Sequence, residues 1–320
     1  MEQKSTTQNR ICNHTYLVYK QLKCAFAEIA ILLAIVSQMA GCAQSTSAPD
    51  NGDSGDNQSR FLSKTVEVDG RQGVATENGW YWISGSTTLS KYDGEWNRLE
   101  VNDAPFDKGY ELEVNHIGDI DVYNNEVYCG VELFEDGVAS NIQIAVYDGD
   151  TLQLKRTFNF EQGSGQDECS GICVNPDTRI VTMCAWTDTG DHIYNYNLDT
   201  GEYLGKVRLS PSPKWIQGIA YHDGMYYLTA DDGDADKNAP DHVYCFELVD
   251  GASEAEVKIA RTLDDVQRQG EIEGLSFDKS SDEMLVLYNR GARIVQGMPV
   301  GFYDGYDHEI HEVYSYGAKP

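Results

Sequence analysis

The sequence predicts an all-β fold, a five-bladed β-propeller of four-stranded antiparallel blades whose last blade is closed by the N-terminal strand. Three observations carry this prediction. A glycine-led apolar strand is written five times, as RQGVAT, GDIDVY, CSGICV, IQGIAY and IEGLSF, with Gly73, Asp119, Gly171, Gly218 and Gly274 in register; a period of about 50 residues marks a repeat architecture. An apolar-x-x-aromatic strand recurs in step, as LSKY, IAVY, IYNY, VYCF and VYSY. The last repeat lacks a closing strand, whereas FLSKTVEV (61–68) stands alone before the first glycine. Pairing these two ends completes one sheet and removes the exposed edges of an open array.

Within each repeat the elements follow in a fixed order. The glycine strand lines the channel and a short polar turn leads to a second apolar strand: GWYWIS, EVYCGV, RIVTMCAW, GMYYLTA and EMLVLY. The aromatic strand is third. WNRLEV, LKRTFNF, YLGKVRL and VKIARTL are the outer, fourth strands of the first four blades. Connections between second and third strands are long and acid-rich, as in GVELFEDGVASN, ADDGDADKNAPDH and NRGARIVQGMPVGFYDGYDH. In a propeller these loops share a face with the starts of the inner strands, so function is expected there.

Residues 1–41 read as a leader. Lys4, Arg10, Lys20 and Lys23 precede the apolar run IAILLAIVSQMAG, which ends at Cys42. That order resembles a bacterial lipoprotein signal peptide. The resemblance implies cleavage before Cys42, acylation of its thiol, and a lipid-anchored chain on the cell membrane facing outside the cytoplasm. Residues 42–60 hold no large apolar side chain and read as a disordered tether, leaving 61–320 for the propeller domain. With 52 acidic and 24 basic residues and a net charge of −28, the chain lacks the basic stripe that nucleic acid requires. It is expected to be a monomer. Beyond Cys42 the cysteines number five, at 129, 169, 173, 184 and 245, an odd set without paired C-x-x-C clusters; small buried side chains are expected.

Side chains just before each glycine are carried to one mouth of the channel. They are Gln72, Gly118, Ser170, Gln217 and Glu273, preceded by Gly70, His116, Glu168, Trp215 and Glu271. This ring makes Gln72, Glu168, Ser170, Gln217 and Glu271 candidate ligand-binding residues. Two carboxylates about 6 Å apart at an effective dielectric of ~20 repel by roughly 3 kcal/mol. Glu168, Glu271, Glu273, Asp119 and Asp121 therefore cannot all converge ionised and unpartnered. Some point away, one takes a proton, or a cation sits among them. Calcium is the cofactor such oxygen-rich surroundings would suit, with Glu273 and Asp119 as ligands. DDGDADKNAPDH also resembles a calcium loop through Asp232, Asp234 and Asp236, although Lys237 replaces its turn glycine and Val243 its bidentate glutamate. A solvated acidic loop is the alternative. His116, unmatched in the other repeats, is the catalytic candidate. The repeated Asp-His pairs at 191–192, 241–242 and 307–308 read instead as structural bonds, and the tryptophans as blade packing.

RQGVAT and IQGIAY resemble the glycine strands of glutamine cyclotransferases, and EIEGLSF resembles the glutamate-glycine strand of calcium-activated nucleotidases and esterase-like phytase domains. The resemblance covers the blade framework over most of 61–320. It implies a propeller whose channel ligates calcium, with Glu273 and Ser170 at ligand positions, while Gln72 and Gln217 depart from the nucleotidases' acidic ring. The leading functional expectation is a lipid-anchored binder of a small-molecule or surface ligand, taken at the acidic loop face through a divalent cation. The alternatives are a calcium-dependent hydrolase of a phosphate or carboxylic ester and a glutamine-cyclotransferase-like enzyme.

Overall fold

Five four-stranded antiparallel sheets are arranged around a channel in this computed structural model, which describes residues 60–186, 190–295 and 298–318. The leader, Cys42 and the tether up to residue 59 lie outside the described residues. Blade 1 is Gly73–Glu77, Trp80–Gly85, Thr88–Tyr92 and Arg98–Asn102. Blade 2 is His116–Tyr123, Glu126–Glu135, Val138–Asp148 and Leu154–Asn159. Blade 3 is Gly171–Asn175, Ile180–Cys184, His192–Asn197 and Tyr203–Ser210. Blade 4 is Ile216–His222, Met225–Ala230, His242–Phe246 and Lys258–Thr262. Blade 5 is Gly270–Asp278, Glu283–Arg290 and Ile310–Ala318, completed by Arg60–Glu67 from the start of the domain.

That last pairing is antiparallel, with Leu62 opposite Tyr316 and Val66 opposite Val313, and Val68 N–H continues it to the His311 carbonyl at 2.9 Å. Arg60 adds a hydrogen bond to Asp282 at 2.9 Å. Being exposed on the Asp282 side, this ion pair contributes little; the ladder and its apolar neighbours hold the closure.

Each blade is buried on both faces, so alternation along a strand divides apolar side chains between two neighbours rather than between core and water. In blade 1, Val74 and Ile83 pack towards blade 5, whereas Ala75 and Trp82 pack towards blade 2. In blade 5, Met284, Val286 and Tyr288 face blade 4, while Leu285 and Leu287 face blade 1. Five apolar clusters result among the described residues, one at every interface around the ring. Polar side chains between blades find partners there: Trp82 Nε1 donates to the Gly149 carbonyl at 2.9 Å, and Asn175 Nδ2 to Tyr226 OH at 2.9 Å.

At the repeated glycines the inner strands come closest. A Cβ on Gly218 would stand 2.7 Å from Asp119 Oδ2 and 3.0 Å from the Gly274 Cα, and one on Gly274 would stand 2.7 Å from the Gly73 Cα. The space relinquished by glycine is used by Asp119, the one repeat without it. Its carboxylate crosses the channel, accepting from Ile120 N at 2.8 Å and Ile219 N at 3.2 Å. Backbone bonds link neighbours at the same level: Gly274 N to the Gln72 carbonyl at 2.9 Å and Asp119 N to the Ser170 carbonyl at 2.8 Å.

Two features depart from four strands per blade. Glu254–Glu256 adds a fifth, parallel strand to the edge of blade 3, and Ala292–Val295 pairs with Met298–Phe302 as a hairpin where the sequence suggests only a loop. Both are short ladders decided by a neighbouring edge or turn rather than by apolar periodicity. The five cysteines at 129, 169, 173, 184 and 245 are buried, as the sequence suggests. Among the described residues no helix is long and apolar enough to cross a membrane.

Gly218→Ala is expected to lower stability by about 1–3 kcal/mol through overpacking against Asp119 and Gly274. Urea unfolding checks this as a lower midpoint at unchanged slope, and an unaltered midpoint would mean that the channel is looser than described.

Candidate functional site

The polar ring gathers at one channel mouth. A pocket of about 460 Å3, including its open rim, is lined by Arg71, Gln72, His116, Glu132, Phe134, Glu168, Ser170, Trp186, Gln217, Glu271 and Glu273. All five candidate ligand residues are therefore together, with His116 and Glu273 beside them. The inner strands of blades 2, 4 and 5 each shift register at the glycine level, between Ile117 and Ile120, Ile216 and Gly218, and Ile272 and Leu275. Such irregularities re-aim side chains at a rim.

On the blade 5 side the carboxylates already have a cation. Arg71 lies 3.4 Å from Glu271, 3.8 Å from Glu273 and 3.3 Å from Glu309. Gln217 Nε2 donates to Glu271 Oε1 at 2.7 Å. Burial pushes Glu271 up to about 7 against the opposing pull of Arg71. Burial, and then the charge of Glu271, holds Glu273 well above the usual carboxylate range. The repulsion foreseen in the sequence is thus relieved by a guanidinium and a retained proton together. Glu273 Oε1 remains buried without a hydrogen-bond partner.

The blade 2 and 3 side is organised differently. Glu132, 1% exposed at its side chain, accepts from Cys169 N through Oε2 at 2.9 Å, leaving Oε1 without a hydrogen bond. His116 stands directly opposite Glu132 in the blade 2 ladder. Its Nδ1 is 3.5 Å from Glu132 Oε1, too far for a hydrogen bond, and is also unpartnered. Glu168 accepts from Trp186 N at 2.6 Å; burial and the Glu132 charge raise it well above its ordinary value. Trp186 packs on Trp215 with ring centroids 4.8 Å apart, and Phe134 lies 5.6 Å from the His116 ring. Trp215 has a φ of 57°, a strained conformation for a bulky residue at the rim. Trp82 and Tyr226 are blade packing, as expected, but Trp186 turns into the pocket.

Other candidates lie elsewhere. Asp119 is deeper, at the glycine level, and Asp121 accepts Val122 N and Val174 N at 2.7 and 2.8 Å, with burial raising it to about 6. In the acidic loop, Asp232 receives His242 and Tyr244 at 2.8 and 2.5 Å, Asp234 caps a turn and pairs with Lys237 at 2.7 Å, and Asp236 grips Arg293 at 2.7 and 2.8 Å. These three carboxylates do not converge. Asp241 bonds Tyr288 of the next blade, a structural link as expected, while His242 turns to Asp232 instead. Asp191–His192 and Asp307–His308 are local pairs at 2.6 Å.

A calcium cage needs six to eight oxygens at 2.3–2.6 Å. Among the described residues no three acidic, histidine or cysteine side chains are grouped to hold a metal, and Arg71 occupies the cation position beside Glu271 and Glu273. The mouth as arranged does not fit that ion.

Arg71, Glu132, Phe134 and Trp186 are the lining residues that the ring argument omits. Glu132 was accessible in principle, because pairing HIGDIDVY with EVYCGVELFE places it across from His116. Arg71 was not: residues 70–72 form a bend rather than a strand, so alternation does not govern its direction.

The molecule is a five-bladed propeller with a polar pocket at one channel mouth. No family model matches the chain, and no curated protein matches it by sequence. Solved structures similar to it include hydrazine synthase of Kuenenia stuttgartiensis, with 11% identity and a TM-score of 0.42 over 68% of this chain and 63% of that one. The Pan2 WD40 domain of Neurospora crassa gives 7% and 0.37 over 78% and 63%. The PQQ-bound aldose sugar dehydrogenase of Streptomyces coelicolor gives 12% and 0.43 over 80% and 98%. The chain spans 63% of the length of the first two. Such likenesses concern the fold alone.

Glu271 at about 7, Asp241 at about 7 and Asp121 at about 6 all lie above ordinary carboxylate values because of burial. The folded chain therefore holds protons that the unfolded chain releases from about pH 4 upwards, so stability falls as pH rises through about 7. The melting temperature is expected to be higher at pH 5.5 than at pH 8. Glu271→Gln should flatten this difference, Glu271 contributing up to about 3 kcal/mol. Equal pH profiles for parent and variant would contradict the assignment.

Proposed function

We propose that this chain is a lipid-anchored, extracytoplasmic binding propeller that takes a small ligand at the acidic mouth of its channel. One observation carries the reading. Glu132 Oε1, Glu273 Oε1 and His116 Nδ1 are buried polar atoms without hydrogen bonds, and all belong to residues lining one open pocket. Buried polar groups are ordinarily matched, so an incoming ligand is their natural complement. The cation role expected of calcium is filled on one side by Arg71, and the ligand itself supplies what the other side lacks.

Calcium titration of the full chain, followed by melting temperature, separates this reading from a metal-mediated one. Little change is expected for the parent and for Glu273→Gln; a rise of several degrees, lost in the variant, would restore the divalent cation and displace direct binding.

A second reading, hydrolysis of a phosphate or carboxylic ester, is favoured by the His116–Glu132 pair. His116 would move a proton and Glu132 would orient the ring. Panels of ester and phosphate substrates check it: turnover abolished by His116→Ala would establish an enzyme, and no turnover above buffer would dismiss one.

The anchor rests on the leader sequence. Cys42→Ser is expected to abolish fatty-acid labelling and shift the chain from the detergent phase to the aqueous phase; labelling that persists would locate the attachment elsewhere.

A further inference from the structure

The two sides of the mouth differ in what they lack. Glu271 and Glu273 share the guanidinium of Arg71, whereas Glu132 and Glu168, which line the same pocket, pair with no lysine or arginine among the described residues. Each of these two acids has one oxygen fixed by a backbone N–H, Cys169 N for Glu132 and Trp186 N for Glu168. Glu132 Oε1 is left buried, unbonded and on the pocket wall. His116 Nδ1 stands 3.5 Å from it. Around these acids stand the rings of Trp186 and Phe134, with Trp215 supporting Trp186 from behind.

From this we infer that the mouth recognises an organic ammonium group, seated between the Trp186 and Phe134 rings with its positive charge against Glu132 and Glu168. The inference rests on the pocket being a ligand site and names the chemistry of that ligand. An anion would meet four acidic side chains, and the guanidinium that could attract it is already shared by two of them, Glu271 and Glu273, and by Glu309. A hard metal ion would require a cage of oxygens and gains nothing from indole and phenyl walls. A neutral polyol would satisfy hydrogen bonds but bring no positive charge to the two acids. An alkylammonium or arylalkylammonium ion brings positive charge to the free oxygen of Glu132, donates to it where it carries N–H, and places its C–H surface against aromatic faces, whose quadrupoles attract cations.

The probes are benzyltrimethylammonium and benzylamine, with benzyl alcohol as the neutral analogue and benzoate as the anion. Binding to the full chain is read by calorimetry and by tryptophan fluorescence. Both ammonium probes should bind at least about tenfold more tightly than the alcohol or the acid. Glu132→Gln keeps the acceptor for Cys169 N and should weaken ammonium binding about tenfold or more with little effect on benzyl alcohol. Phe134→Ala provides a second variant should Glu132→Gln melt early, and should weaken the quaternary probe most.

Equal affinity for all four probes, or ammonium binding indifferent to both variants, overturns the inference. If calcium, a neutral saccharide or benzoate binds at the mouth while neither ammonium probe does, the ligand class falls and the pocket reading stands. If no probe of any charge perturbs the mouth, both fall.

Discussion

The closeness of the inner strands at the glycine level is the constraint on which the rest depends. Five strands can surround a channel this narrow only where side chains are absent, and Gly73, Gly171, Gly218 and Gly274 provide that absence. Asp119 fills what remains and accepts hydrogen bonds from Ile120 N on its own strand and from Ile219 N across the channel. Burying a carboxyl there is unfavourable in its charged form, which is why burial raises it well above the ordinary aspartate range. The result is a shut plug rather than a pore. The open pocket is confined to the layer above it, where residues one and three places before the glycines can still project.

From that layer upward, polar groups accumulate faster than partners for them. Arg71 reconciles Glu271 and Glu273, and Gln217 adds a neutral donor. On the opposite rim, backbone N–H groups hold single oxygens of Glu132 and Glu168 and leave Glu132 Oε1 without a hydrogen bond. A rigid scaffold allows this. Each blade is clamped between two apolar interfaces, so the ring cannot relax to bring a distant lysine or arginine inwards. The strained Trp215 stands at the same rim, packed on Trp186.

The N-terminal strand contributes to the same rigidity. By pairing with Ile310–Ala318 it converts a linear row of sheets into a ring, so that blade 1 is packed by blade 5 in the way every other blade is packed by its predecessor. The mouth then has two sides at all. Without closure, Arg71 in the approach to blade 1 would not meet Glu271 and Glu273 in blade 5, and the charge asymmetry of the pocket would not exist.

The sequence by itself determined the blade count, the order of strands, the closing strand and the membership of Gln72, His116, Glu168, Ser170, Gln217, Glu271 and Glu273 in one mouth. Those features follow from a period written in the chain and from position relative to each repeated glycine, both local properties. Only tertiary structure decided which groups compensate them. Arg71 leaves a bend where alternation does not apply, Glu132 and Phe134 come from a second strand in a different register, and Trp186 is aimed by the backbone bond from its N–H to Glu168. The acids of 232–236 alternate as calcium ligands would, yet His242, Lys237 and Arg293 draw them apart. Charge pairing acts through distances of a few ångströms in space, and the chain's spacing encodes those distances only where a single strand or turn spans them.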